Sequence, residues 1–298
     1  MAASPEYVAG DTVVRGGVGG PSADPQVTGE AAALAIGDAG TSAIERRRAR
    51  SRWRWLLGAI LPIALLVVWW LATHLGWVPL FKLPTPESVV AAAFDLSDRG
   101  LLWEYIGIST QRVFLGFVIG SIIGLALGSL VGLSRFADAF LAPTIGAARA
   151  VPSLAWVPLL ILYLGYGEDS KVALVIIGAL FPVYTTVAGA LRHVDPQLVE
   201  FGRAYGYHGI RLLTRVQLPA VVPAIVSGLR LALAQAWLFL VAAELIAASM
   251  GLGFLLIESQ NNGRIDRLIL AIIILAVLGK LSDTLIGLLE RFLLKRWG

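Results

Sequence analysis

Residues able to do chemistry are scarce in this chain, and their spacing fits no catalytic arrangement. The three histidines are His74, His193 and His208. They stand far apart, outside any H-E-x-x-H pattern that would set two imidazoles on one helix face around zinc. Each suits an interfacial or capping position better than a ligand position. Cysteine is absent, which removes thiolate metal sites, disulfide frameworks and cysteine nucleophiles together. Gly279-Lys280 lacks both the upstream glycine and the following Ser or Thr of a phosphate-binding loop. The chain therefore shows no means of hydrolysing ATP by itself, and no catalytic residue, cofactor or metal is expected.

One polar segment has organised spacing, VEFGRAYGYHGIRLLTRVQLPAVVP from Val199 to Pro223. Glu200-Phe201-Gly202 is followed after three residues by Gly206, and after nine more by Val216-Gln217-Leu218-Pro219. The pattern predicts a surface helix carrying Ala204 and Tyr205, a turn that glycine permits at Gly206 and Gly209, and a second helix leading into a proline-started apolar stretch. Two short helices at a fixed angle make a docking knob for another protein. An ordinary basic loop lying on lipid headgroups is the alternative that the residues alone leave open.

The elements that must hold this segment are apolar. Hydrophobic residues make up 57% of the 298 and charged ones 15%, against roughly 25% charged in soluble domains. Mean hydropathy is +0.77. The blocks Trp55–Phe81, Val113–Ser134, Ala150–Gly167 and Val172–Leu191 contain no Asp, Glu, Lys or Arg. A spanning helix needs about 20 mostly apolar residues, so a soluble enzyme is excluded and an all-α polytopic membrane protein is expected.

Six transmembrane helices are expected, at about 56–75, 106–133, 141–164, 172–191, 219–248 and 268–289. Pro152 and Pro158 interrupt the third. A short surface helix is expected over 86–97, with Thr85 as cap, Pro86 in the first turn and Glu87 at the positive helix end. Residues 1–54 are rich in Gly, Ala, Ser and Pro and end in the run Arg46–Arg54. They are expected to form a disordered basic cytoplasmic extension, with residues 55–298 as the membrane domain. The net charge of +4 is concentrated in that run and in the segments between spans, which argues for membrane orientation rather than nucleic acid. Basic residues are sparse on the other side, so both termini are placed inside.

Gly116, Gly120, Gly124, Gly128 and Gly132 recur at every fourth position of the second expected span. This is a packing stripe that lets two helix backbones approach closely in lipid. Ionisable residues within spans are expensive and ask for a partner or a function. Arg149, Arg230 and Glu244 are the candidates for a translocation path. The residues alone leave a structural alternative open, in which Arg230 pairs with an acid on a neighbouring helix and Arg149 merely reaches the cytoplasmic interface; Glu244 lies near the outer end of the fifth span. Lys280 and Asp283, three residues apart, can satisfy each other.

The Glu200–Pro219 spacing resembles the E-A-A-x3-G-x9-I-x-L-P signature of binding-protein-dependent ABC importer permeases. Phe201-Gly202 stands for Ala-Ala and Val216 for Ile, and every interval is kept. LPTPESVV, RAVPSLAWVPLLILYLGYGEDSK, VAAELIAASMGLGF and LGKLSD are similar to the nitrate/sulfonate/taurine branch, so the resemblance runs from about Trp55 to the C-terminus. It implies a type I importer permease (MetI-like) fold in a cell inner membrane. In such permeases the signature segment is a coupling helix seated on an ATP-hydrolysing subunit. That role would fall on Glu200, Phe201, Gly202, Ala204, Tyr205, Gly206, Gly209, Leu218 and Pro219. The implied partners are two copies of the ATP-binding subunit, an extracytoplasmic substrate-binding protein and a second copy of the chain. The implied cargo is a small organic anion, with aliphatic sulfonates and taurine ahead of nitrate, bicarbonate or a pyrimidine precursor. An ion-coupled secondary transporter would instead need mid-membrane carboxylates in an inverted repeat. Only Glu244 and Asp283 could serve there, and no repeat is visible.

Overall fold

The computed structural model describes residues 60–152 and 155–297, with side chains as far as Phe292. The expected N-terminal extension over 1–54, with its basic run, lies outside the described residues. From Trp69 onward the chain forms one compact unit. Among the described residues every regular element is helical: α1 (Ile60–His74), α2 (Pro86–Asp98), α3 (Leu101–Leu133), α4 (Arg135–Ala150), α5 (Trp156–Leu164), α6 (Glu168–Arg192), α7 (Pro196–Ala204), α8 (Ile210–Leu212), α9 (Leu218–Ala247), α10 (Leu252–Asn261) and α11 (Ile265–Trp297). Four stretches are long and apolar enough to cross a membrane: Leu101–Leu133, Glu168–Arg192, Ile210–Ala247 and Ile265–Phe292.

The bundle is organised around one very close helix pair. All five glycines of the stripe on α3 face α6, and a Cβ built on each would lie 2.6–3.0 Å from the Cβ of Val175, Ala179, Val183, Val187 and Leu191 in turn. Each partner stands 59 positions after its glycine, so the two helices run parallel and in constant register. Contact this close gives dispersion attraction where lipid removes the hydrophobic drive for helix association. α9 returns antiparallel against α6. Gly178 admits the Phe239 ring at one end of that contact, and Gly228 admits Thr186 at the other. Val113, Val175, Ala179, Val183, Val187, Ala232, Ala236 and Leu240 form the resulting core. α11 then packs on α9, where the Trp237 indole N–H donates to Ser282 Oγ at 3.0 Å.

Parallel α3 and α6 must be joined by a chain that crosses back. The expected third span does this, but not as one helix. α4 ends at Ala150, and Val151 is already extended at φ −67°, ψ 126°. Pro152 cannot donate a helical hydrogen bond, and it disfavours helical geometry at Val151. Pro158 falls in the first turn of α5, where a missing N–H costs nothing. The 16 and 9 residues of the two pieces give roughly 37 Å at 1.5 Å per residue, enough to traverse the bilayer only in combination.

At the end of the bundle where α3 and α6 begin, α2 lies as the sequence predicts. The Thr85 hydroxyl accepts from the Ser88 N–H, and Pro86 opens the helix. Val89, Ala92 and Leu96 bury against Leu252 and Leu255 of α10 and Leu270 of α11. Arg267 of α11 donates to Asp95 at 2.8 Å. Partial desolvation raises the Asp95 carboxyl, but the Arg99 and Arg267 guanidiniums outweigh it and hold the group below its ordinary range.

Candidate functional site

The Glu200–Pro219 segment sits at the opposite end of the bundle, between α6 and α9, and its local chemistry explains the spacing. Asp195 caps α7, accepting from the Gln197 N–H at 2.8 Å. The helix stops in a Schellman motif. The Tyr207 N–H reaches the Gly202 carbonyl at 3.1 Å and the Gly206 N–H reaches Arg203 at 2.9 Å. Gly206 has φ +82°, a left-handed conformation that costs an ordinary L-residue roughly 1–2 kcal/mol. Gly202 is buried where the chain folds back. A Cβ there would stand 2.8 Å from the Leu212 side chain and 3.0 Å from Val216. The third position of the signature must therefore be small because the second helix rests on it.

Leaving the turn, the chain widens into a π turn over Leu213–Gln217. Pro219 has no N–H and its ring would strike the carbonyl four residues back, so the wider turn accommodates it. Phe201 and Tyr205 pack their rings at 4.6 Å and remain 60% and 69% exposed, beside Ile210 at 78%. Glu200, Ala204, Gly206 and Gly209 are exposed on the same knob, while Leu218 and Pro219 are half-buried where it joins α9. The knob therefore projects an aromatic and aliphatic tip beside a left-handed glycine turn.

The three expected path residues are not brought together. Glu244 is wholly buried at the end where α3 and α6 begin. Its carboxylate accepts from Arg112 at 2.6 Å, from Ser109 at 2.9 Å and from the Gly253 N–H at 2.8 Å. Arg112 also holds Glu168 through a two-pronged contact at 2.5 and 2.6 Å and donates to the Met250 carbonyl at 2.8 Å. Lys171 adds a second cation on Glu168 at 2.9 Å. Two acids and two bases thus form a neutral cluster that clamps α3, α6, α9 and the turn into α10. Gly251, at φ +119°, lies directly against the Glu244 carboxylate, and a Cβ on Gly253 would meet the Glu244 Cβ at 2.6 Å. The M-G-L-G spelling of that turn follows from the buried acid.

Arg230 is taken up by structure. It makes a two-pronged bond to Asp283 at 2.9 and 3.1 Å and reaches Glu290 at 3.3 Å. Asp283 is therefore satisfied from α9 rather than chiefly by Lys280, which stands 3.6 Å away. Arg149 is different. It lines a cleft of about 470 Å³ between the α4–α5 break, α6 and α9, and its guanidinium donates to the Thr185 hydroxyl at 2.9 Å. Sequence reasoning passed over Arg112, Glu168 and Ser109. Arg112 was open to detection as the one charge between Glu104 and Arg135.

The family described as the binding-protein-dependent transport system inner membrane component matches residues 116–295. The chain belongs to this family. The permease is therefore a multi-pass inner-membrane protein and the membrane component of an ABC importer, and membership implies an ATP-binding subunit and a substrate-binding protein as partners. It is 43% identical to the SsuC permease of Escherichia coli strain K12, assigned to aliphatic sulfonates transport, over 82% of this chain and 94% of that one. It is 31% identical to the taurine transport system permease TauC of the same strain, over 81% and 92%. The bicarbonate transport system permease CmpB of Synechococcus elongatus is 32% identical over 85% and 99%. These relatives match the nitrate/sulfonate/taurine branch. Among solved structures, the inward-facing MetNI methionine ABC transporter aligns with a TM-score of 0.53 at 23% identity, over 68% of this chain and 98% of that one. This likeness establishes the shared permease fold.

Proposed function

We propose that this permease carries aliphatic sulfonates, taurine included, as one half of a homodimeric pore with both termini in the cytoplasm. Two ATP-binding subunits dock on the Glu200–Pro219 knobs, and a binding protein delivers the anion at the end where the Arg112 cluster lies. ATP hydrolysis belongs to those subunits. Nucleotide closes them, moves the two knobs and tilts the permeases from inward-facing to outward-facing. The ligands drive this cycle because each binds one state better than the other. Identity of 43% to the sulfonate permease, against 32% to the bicarbonate permease, carries the substrate assignment. Deleting the gene should abolish growth on ethanesulfonate as sole sulfur source and spare growth on sulfate. Lost growth on nitrate as sole nitrogen source, with sulfonate growth intact, refutes the assignment.

The coupling role rests on Gly206. Valine there is strained by its positive φ, while no other atom lies within 4 Å of its Cβ position, so the bundle itself is spared. Gly206→Val is expected to lower ATPase stimulation by the loaded binding protein about tenfold, the equivalent of roughly 1.4 kcal/mol. Gly206→Asn, which tolerates the left-handed region, should keep most of it. Full stimulation in the valine variant removes the knob from the coupling path.

A further inference from the structure

We infer that the cleft beneath the α4–α5 break is a transit site for the sulfonate head group, with Arg149 as its cationic ligand. The inference rests on the sulfonate reading above and names the residues that meet the cargo within the permease. Arg149 bonds Thr185, seven residues before Arg192 at the end of α6, so it lies roughly 10 Å into the bundle at 1.5 Å per residue. Among the described residues no carboxylate stands within ion-pair distance of it, whereas Arg112, Arg230 and Arg267 each have one. A guanidinium at such depth belongs in a protein interior or a water-filled passage rather than against hydrocarbon. Arg149 is exposed in the single chain, so the cleft is open rather than sealed.

The surrounding groups fit an oxyanion with a short apolar tail. The Thr185 hydroxyl donates to the Phe181 carbonyl at 2.8 Å, which leaves its lone pairs to orient Arg149. Trp156 also lines the cleft, and its buried indole N–H has no acceptor among the described residues. Gln235 lines the same cleft and brings further amide donors. Phe181, Phe239 and Leu231 supply apolar wall. The volume of about 470 Å³ falls among small-molecule sites of roughly 300–1,000 Å³. No Asp or Glu lines the cleft to receive taurine's ammonium, so ethanesulfonate is the probe of choice.

The test is uptake of labelled ethanesulfonate into proteoliposomes holding the complete transporter, with saturating loaded binding protein and ATPase activity read in parallel. Arg149→Gln should lower uptake at least about tenfold while stimulated ATPase persists, and Arg149→Lys should restore much of it. Gln235→Leu, which leaves the cation in place, should reduce uptake several-fold as an independent variant. Wild-type uptake in both Arg149→Gln and Gln235→Leu overturns the transit site, as does parallel loss of uptake and ATPase, which marks a structural role. A wild type that moves nitrate or bicarbonate but no sulfonate overturns the substrate reading instead. The anion site then stands if Arg149→Gln stops that anion and falls if it does not.

Discussion

Arg112→Met is expected to cost the folded permease about 3–5 kcal/mol, because it strips the cation from a carboxylate that has no route to water. Glu244 is fully buried and Arg112 is 5% exposed. Glu168, at 60% exposure and with Lys171 still beside it, tolerates the loss far better. The apparent melting temperature of the purified protein in detergent should fall by roughly 10 °C, at 2–4 °C per kcal/mol for a chain of this size. The damage should centre on the turn between α9 and α10, whose Met250 carbonyl and Gly253 N–H are both held by the cluster, so protease nicking there should rise. A neutral partner change gives the decisive comparison. Arg112→Met with Glu244→Gln removes both charges and leaves an amide that can still accept from Ser109 and Gly253. The double variant should recover most of the loss, a coupling of a few kcal/mol in a double-mutant cycle. An unaltered melting curve in the single variant means the cluster is not the clamp described.

The cluster also marks where the sequence stops being legible. A regular, local pattern carries its meaning in one dimension. The glycine stripe declares a packing face, Thr85-Pro86-Glu87 declares a helix start, and the Glu200–Pro219 spacing declares a helix, a glycine turn and a second helix. Each depends on residues within a few turns of one another, and each is found in the fold. The pairing of Arg112 with Glu168 and Glu244 spans 56 and 132 positions. It exists only because α3 and α6 run in parallel register and α9 returns antiparallel beside them. No spacing rule brings those three residues together, so the buried partners of Glu244 were not legible in the sequence. The broken third span was half legible. Pro152 pointed to an interruption, but the need for α4 and α5 together to carry the chain back follows only from the parallel direction of α3 and α6. Arg149 was legible as an intramembrane cation, and its cleft was not, since Trp156, Thr185 and Gln235 arrive from three helices.

Leucine at Gly120 is expected to prevent the permease from folding, whereas leucine at Gly107 on the same helix should be tolerated. A Cβ at position 120 would lie 2.5 Å from the Ile176 carbonyl oxygen and 2.9 Å from the Ala179 Cβ. The first of these is backbone, which has no rotamer to move aside. Overpacking a fitted contact by even a few carbons costs about 1–3 kcal/mol, and here four carbons would be driven against a main chain. Relief requires α3 and α6 to separate, and separation would also strip the facing contacts of Gly116, Gly124, Gly128 and Gly132. Gly107 has nothing within 4 Å of its Cβ position, and replacing a helical glycine there removes an entropic penalty of roughly 0.5–1 kcal/mol. The measurement is the yield of monodisperse protein after detergent extraction. Near-complete loss is expected for Gly120→Leu, and an unchanged or slightly higher yield for Gly107→Leu. Because chemistry, helix and lipid are the same in both variants, the difference isolates the α3–α6 contact. Equal yields would mean that the two helices do not meet along this face, and the register that places Arg112 beside Glu168 would fail with it.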